Sequence, residues 1–482
     1  MTLPATSEPG PFALGPAATG RLAARIGAAL RLAARDGRGV ASVCVAVPAG
    51  VDLAATVLAC RRPGDRFFCI EQPGRDGYAV CGLGAAATVE ATGAQRFAQV
   101  AAACRALAAG TVADDPSLDP GRPSGAGPVF AGGFAFAAEG GGSPEWSSFA
   151  PAQLVLPEVS FARRGDQARM TVNVVVDDQE SADSVLERVN ARLAELEPAS
   201  MPLLDPDPIA RSRVAGAAPP SHYEEAVRRA VERIRAGDLD KVVLAREVRV
   251  HSANPADPAP VLDSLRAAFA DCYCYCVGGP EAAFVGASPE LLVRRDGARA
   301  QTVALAGTTR RSADPAVDLH LGEQLLQSEK NRMEQAIVAR RIERALDPVS
   351  LWVAAGEEPV LVTVQNVQHL ATPIRAQLAE PVSTVELAGR LHPTPAVGGE
   401  PAAVAAPLIP ALEGLDRGWY AGAVGWTDLA EDGEFCVALR CALLRGPVAH
   451  LYAGCGIVAD SVPSEELAET EVKLEALLPL LT

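Results

Sequence analysis

Along the first two hundred residues, runs that alternate apolar and polar positions are separated by stretches whose apolar positions recur every three to four residues. "GRLAARIGAALRLAARDG" has the helical period, and "VASVCVAVP", "RFFCIEQ" and "GYAVCGLGAAATVEA" read as strands. A helix is expected in "AQRFAQVAAACRALAAG" and a glycine-kinked strand in "GPVFAGGFAFA". "AQLVLPEVSFARRGDQARMTVNVVV" predicts two strands about the "RGDQ" turn, and "SADSVLERVNARLAEL" an amphipathic helix. Residues 1–20, rich in Pro, Gly and Ala, are expected to be a flexible tail, with an N-terminal half over 21–205.

Residues 197–220 are proline-rich, show no sustained period and read as a linker. After it, Ser221 and Glu224 form a candidate capping box for a helix with apolar stripe Tyr223, Ala226, Val227, Ala230 and Ile234. "LDKVVLAREV" follows as a strand, with Lys241 at the start of an apolar run. Further strands are expected near 272–277, 281–287, 290–296, 299–306, 361–371, 420–428, 434–444 and 449–458. A long helix is expected over 315–345 and a last one over 464–480. Runs of strands with interspersed helices predict an α+β fold with a large, mainly antiparallel sheet.

Composition narrows the partners. The formal charge of −16 argues against nucleic acid and anionic membrane surfaces. No window holds eighteen uninterrupted apolar residues, so no membrane span is expected. The opening residues lack the basic-then-apolar pattern of an export signal, which makes the cytoplasm the expected location. The 11 cysteines include no C-x-x-C pair, which fits free thiols in a reducing compartment. In "CYCYC" (272–276), alternate cysteines share one strand face, so small core residues are favoured over a metal site.

Several charged groups stand in unusually apolar settings. Glu290, in "FVGASPELLVRRDG", follows Pro289 and precedes two leucines. Burial there would keep a carboxyl protonated near neutral pH, as a general acid requires; an ion pair with Arg294 or Arg295 is the plain alternative. Glu334 lies on a helix amid Glu329, Lys330, Arg332 and Arg340, where an ion-pair face is the plain reading. Glu466, Glu469 and Lys473 fall at i, i+3 and i+7, one face of one helix. Carboxylates from two helices facing one site could hold a hard divalent ion such as magnesium. Arg440, within the apolar "EFCVALRCALL", is costly unless it meets an anion. Gly454 and Gly456 in "YAGCGIVADSVP" permit close backbone approach, or simply a tight turn.

In order along the chain, "DKVVLAREV", "GASPELLVRRDG", "ALAGTTRR", "SEKNRMEQ", "VQHLATPI", "LHPTPAVGGEP", "DRGWYAGAVGW", "VALRCALL", "YAGCGIVADS" and "AETEVKLEALL" together resemble the chorismate-utilising enzymes. That family includes anthranilate, aminodeoxychorismate, salicylate and isochorismate synthases, and the motifs resemble the last group most closely. They cover about residues 221–480, the expected chorismate-binding catalytic region. The N-terminal half matches more weakly, through "GGFAFA", Trp146 with Phe149, and "LVLPEV". The resemblance implies a two-sheet sandwich with helices packed outside and a deep cleft. It implies that Lys241 is the base activating water for attack at C2 of chorismate and Glu290 the acid for the departing C4 hydroxyl. It implies Mg²⁺ held by Glu334 and Glu469 with Glu466 nearby. Arg440 and Lys473 would bind the enolpyruvyl carboxylate, helped by amides near Gly454 and Gly456. Gly307, His369 and Ala396 would line the substrate pocket.

Within the family, ammonia-using members commonly carry Gln in place of Lys241, and aminodeoxychorismate synthases carry a nucleophilic Lys where this chain has Ala306. Water is therefore the expected nucleophile, and reversible conversion of chorismate to isochorismate the expected reaction. Salicylate synthase, which adds pyruvate elimination, is the nearest alternative, and a silent chorismate-binding subunit the next. Met333 departs from the family's usual polar residue before the glutamate. A monomer or weak homodimer is expected.

Overall fold

The structure, a computed structural model, describes residues 10–204, 212–365 and 367–482. Two sheets of 13 and 10 strands organise it. The long ladders are antiparallel, and a short pairing of Gly39–Ala46 with Thr111–Val112 is parallel. Tyr273–Gly278 pairs with Phe67–Gln72, so both halves of the chain contribute to one sheet. One buried core joins residues of the larger sheet, such as Phe68 and Tyr275, to residues of the smaller, such as Phe130 and Trp426. A second lies between the larger sheet and helices Pro16–Asp36, Leu53–Ala59, Ala182–Leu193 and Pro258–Ala268. The result is the expected α+β sandwich with helices outside.

The chain changes sheet where a single long strand was expected. "GYAVCGLGAAATVEA" forms Tyr78–Leu83 in the larger sheet and Ala87–Ala91 in the smaller, parted at Gly84 with φ +75°. Strands Ala152–Leu156 and Val159–Arg164 part at Pro157, which has no N–H to give a ladder. "EFCVALRCALL" likewise divides into Gly433–Val437 and Cys441–Arg445, one in each sheet. Arg440 is therefore not inside a strand; it sits at the crossing with φ 47°. Ala282–Ser288 and Leu291–Asp296 cross at Pro289 and Glu290. The last two crossings run side by side: Val437 N donates to Glu290 O at 3.0 Å and Ala287 N to Arg440 O at 3.0 Å.

Other boundaries shift for local reasons. Residues 12–20 are not the expected tail: a helix starts at Pro16, and Phe12 is buried against Phe161. Residues 1–9 lie outside the described residues, as do 205–211 of the linker. The helix after the linker is Pro220–Arg235 with Pro219 as its N-cap, so Ser221 is already helical and caps nothing. The expected helix 315–345 divides at Ser328, whose hydroxyl accepts from Asn331 N and starts a second helix, Glu329–Leu346. Residues 361–371 fall in two paired strands, Val360–Thr363 and Val367–Leu378. Helices Leu53–Ala59, Thr384–Leu391 and Ala402–Glu413 were not expected, being short or interrupted by Pro407 and Pro410. Cys272, Cys274 and Cys276 are buried core residues, as their spacing predicts. Among the described residues, no helix is long and apolar enough to cross a membrane.

Candidate active site

The strand Lys241–His251 is internal to the larger sheet. It pairs with Val448–Ile457 on one side and, at Lys241 and Val242, with Gly399–Glu400 on the other. Helices Pro220–Arg235 and Ala402–Glu413 cover one face with Tyr223, Val227, Ile234 and Ile409. Lys241 is thus only 1% exposed, and its Nζ lies 2.8 Å from Oε1 of Glu334. Gly456 stands beside this pair. A Cβ there would come within 2.4 Å of Glu334 Oε1 and 2.8 Å of Lys241 Cε, so the glycine makes the room the ion pair occupies. Glu334 reaches it from the helix Glu329–Leu346, leaving Lys330 to face Glu466 at 3.5 Å. The ion-pair face along one helix is replaced by contacts between elements. Met333 is 67% exposed and faces away from this pair.

Above the pair opens a cavity lined by Glu290, Gly307, Glu334, His369, Ala396, Arg440, Gly454, Gly456, Glu466, Glu469 and Lys473, among others. Every candidate site residue lies on its wall except Lys241, which sits directly behind Glu334. The cavity spans the seam of the two sheets, so the side-by-side crossings deliver Glu290 and Arg440 to it together.

Glu290 is 3% exposed. Arg294 pairs with Glu434 at 2.7 Å and Arg295 with Asp432 at 2.8 Å, which leaves neither to Glu290. Burial pushes its carboxyl up to about 8, against the opposing pull of Lys241, Arg440 and the Thr394 hydroxyl. Thr394 Oγ1 is itself buried without a full hydrogen bond. Glu290 is therefore mainly protonated at neutral pH.

Arg440 has no carboxylate partner among the described residues, and burial depresses its basicity. Its guanidinium can only donate, so His369 Nε2 accepts from it at 3.4 Å, and Nδ1 faces Thr308 Oγ1 at 3.1 Å. Burial, with Arg440 and Lys473 nearby, holds His369 well below the usual imidazole range and therefore neutral. A buried guanidinium that faces a cavity with no carboxylate in direct contact can receive an anion there. Gly307, at φ +77°, forms the bulge that turns the strand Arg299–Arg310 past Asn331.

Lys473 Nζ is 2.7 Å from Glu469 Oε1 and 2.8 Å from the Gly454 carbonyl. Burial works against the Glu469 carboxylate, but Lys473 outweighs it and holds the group below its ordinary range. Glu466 is pushed up by burial and by the charge of Glu469. Oxygens of these two glutamates lie within 4.8 Å of each other and of Cys455 Sγ. Burial raises the Cys455 thiol far above its usual range, so it is a neutral neighbour and not a soft ligand. What remains is a hard, all-oxygen donor set of Glu466 and Glu469 with Glu334 on the same wall, which fits a divalent cation such as Mg²⁺.

Residues 28–482 match the family described as chorismate binding enzyme. The chain belongs to the chorismate binding enzyme family. Isochorismate synthase MenF of Bacillus subtilis is 37% identical over 74% of this chain and 75% of its own length. The salicylate biosynthesis isochorismate synthase of Pseudomonas aeruginosa is 38% identical over 82% of this chain and 81% of its own. Among solved structures, MenF of Escherichia coli, described as a menaquinone-specific isochorismate synthase, superposes with a TM-score of 0.77. It is 27% identical, over 95% of this chain and 100% of that one. Tyr420, Thr308 and Asn331, which the sequence does not single out, also line this family member's cavity, as does Lys330, which it offers only as part of an ion-pair face. They are ordinary residues of helix, turn and strand, and only the tertiary fold turns them inward.

Proposed function

We propose that this chain interconverts chorismate and isochorismate by adding water at C2 and expelling the C4 hydroxyl. The observation that carries the reading is a buried, protonated carboxyl, Glu290, on the wall of a cavity that also holds Arg440, with a fully buried lysine, Lys241, directly behind Glu334 on that wall. Lys241 acts as the neutral amine, once the ammonium proton that pairs it with Glu334 has been released; it takes a proton from the attacking water, the ring double bonds shift, and Glu290 gives its proton to the oxygen leaving C4. One water is consumed and one released, so the substrate isomerises. In reverse the ionised Glu290 takes a proton and Lys241 returns one.

Chorismate carries two carboxylates. Arg440, oriented by neutral His369, and Lys473 receive one of them. Glu334, Glu466 and Glu469 would hold Mg²⁺, whose charge would bind and orient the other. Ala396 and Gly307 leave space for the ring.

Incubation of the pure protein with chorismate, with and without Mg²⁺, followed by chromatography, tests this. Isochorismate should accumulate to equilibrium with chorismate, with no pyruvate, and only with the metal. Salicylate and pyruvate formed in step would mean that elimination follows; no conversion at all would overturn the reading. Glu469→Gln should raise the Mg²⁺ concentration for half-maximal activity by at least about 10-fold. An unchanged metal titration would remove Glu469 from the metal site.

A further inference from the structure

Behind the cavity lies a buried ion pair that the proposed chemistry does not use. Glu413 ends the helix Ala402–Glu413 and Arg417 follows in the next turn, their side chains 1% and 3% exposed. Arg417 Nε donates to Glu413 Oε2 at 3.0 Å. Its two Nη atoms part: one donates to Val397 O at 2.8 Å and the other to Val243 O at 3.0 Å. Glu413 Oε1 accepts from Ala245 N at 2.7 Å. The guanidinium also lies 4.2 Å from the Phe136 ring.

The contacts join two separate segments. Val243 and Ala245 belong to the strand that carries Lys241, and Val397 to the loop that carries Ala396 and Thr394 beside Glu290. Val243 and Val397 both line the cavity. The segments also touch directly, Val243 N donating to Gly398 O at 2.6 Å. A buried salt bridge is a weak source of stability, because desolvation offsets most of the Coulomb attraction. A planar fork that reaches two carbonyls at once is, in contrast, specific, and lysine cannot reproduce it.

We propose that Arg417, held by Glu413, is a positioning residue. It fixes the Lys241 strand against the 392–400 loop and so sets the base and the acid at their working separation. This rests on the roles proposed above for Lys241 and Glu290. It assigns Arg417 no contact with substrate.

Arg417→Lys is the test, since it keeps the charge beside Glu413 but can hold only one of the two carbonyls. The expected result is a kcat lower by about 10²-fold, the scale of a misplacement near 1 Å. KM for chorismate should change little, because Arg440 and Lys473 are untouched. Arg192→Lys, at an equally buried arginine paired with Asp65 away from the cavity, serves as the stability control and should retain wild-type kcat. Equal losses of kcat in both variants, or a wild-type kcat in Arg417→Lys, would overturn the positioning role. Hydrogen exchange gives a readout independent of the reaction. The amides of Val243 and Ala245 should exchange at least about 10-fold faster in Arg417→Lys than in wild type, as local opening becomes easier. Unchanged exchange would overturn the clamp even if activity fell. Faster exchange in a protein that yields no isochorismate would uphold the clamp and overturn the proposed reaction instead.

Discussion

Lys241→Ala should bind chorismate with nearly wild-type affinity and lose about 10³-fold in kcat, within the range typical of a positioned acid or base. Binding is spared because the anion-receiving groups, Arg440 and Lys473, reach the cavity from other elements. The loss is confined to the step in which water gives up a proton. The variant has a second consequence, because Lys241 is also the 2.8 Å partner of Glu334. Removing it leaves a buried carboxylate without a counter-charge, a change that typically costs about 3–5 kcal/mol. Thermal denaturation should record that cost. Lys241→Arg separates the two roles, since a guanidinium can face Glu334 but cannot be deprotonated in proteins. It should recover stability without recovering turnover. Steady-state kinetics with binding measured separately decides the matter: turnover within a few-fold of wild type in either variant would remove Lys241 as the base.

The dependence of Lys241 on Glu334 shows where sequence reasoning stops. The lysine at the start of an apolar run, the glutamate after Pro289 and the glutamates at i and i+3 near the C-terminus are short-range patterns, and each lies on or beside the cavity. Their partners are not short-range. Glu334 is on a helix far along the chain and reads locally as one more charge on an ion-pair face. Only the tertiary packing, with Gly456 leaving room, brings it to Lys241.

The strand crossings fail to show for a related reason. Segments buried in both sheets are apolar throughout, so "EFCVALRCALL" reads as one strand and Arg440 as an interior oddity. In the fold that arginine marks the point at which the chain leaves one sheet for the other. Its backbone at φ 47° is a conformation that non-glycine residues seldom adopt. Arg417 was hidden differently. Among the glycines and aromatics of "DRGWYAGAVGW" it looks like a loop cation, and its burial depends on Glu413, whose helix contains two prolines that argue against a helix locally.

Glu290→Gln should lower kcat by about 10³-fold, and the pH dependence of the wild type explains why. In the chorismate-to-isochorismate direction only the protonated acid is competent, so with its carboxyl at about 8, kcat should be level near neutrality and fall as pH rises past that value. The glutamine variant, with no proton to give, should lose this limb together with the rate. Stability should move the other way. The folded-state value of Glu290 is raised above the usual 4.5 because burial disfavours the carboxylate. Its contribution to stability is therefore fully present below about 4.5 and lost as pH rises through about 8. A neutral amide of the same shape escapes that loss. Glu290→Gln should thus match or exceed the wild-type Tm at pH 9 while being nearly inactive at every pH. A variant both inactive and less stable at pH 9 would mean that Glu290 is held ionised. It would then be a structural carboxylate, and the proton for the departing hydroxyl would have to come from another group on the cavity wall.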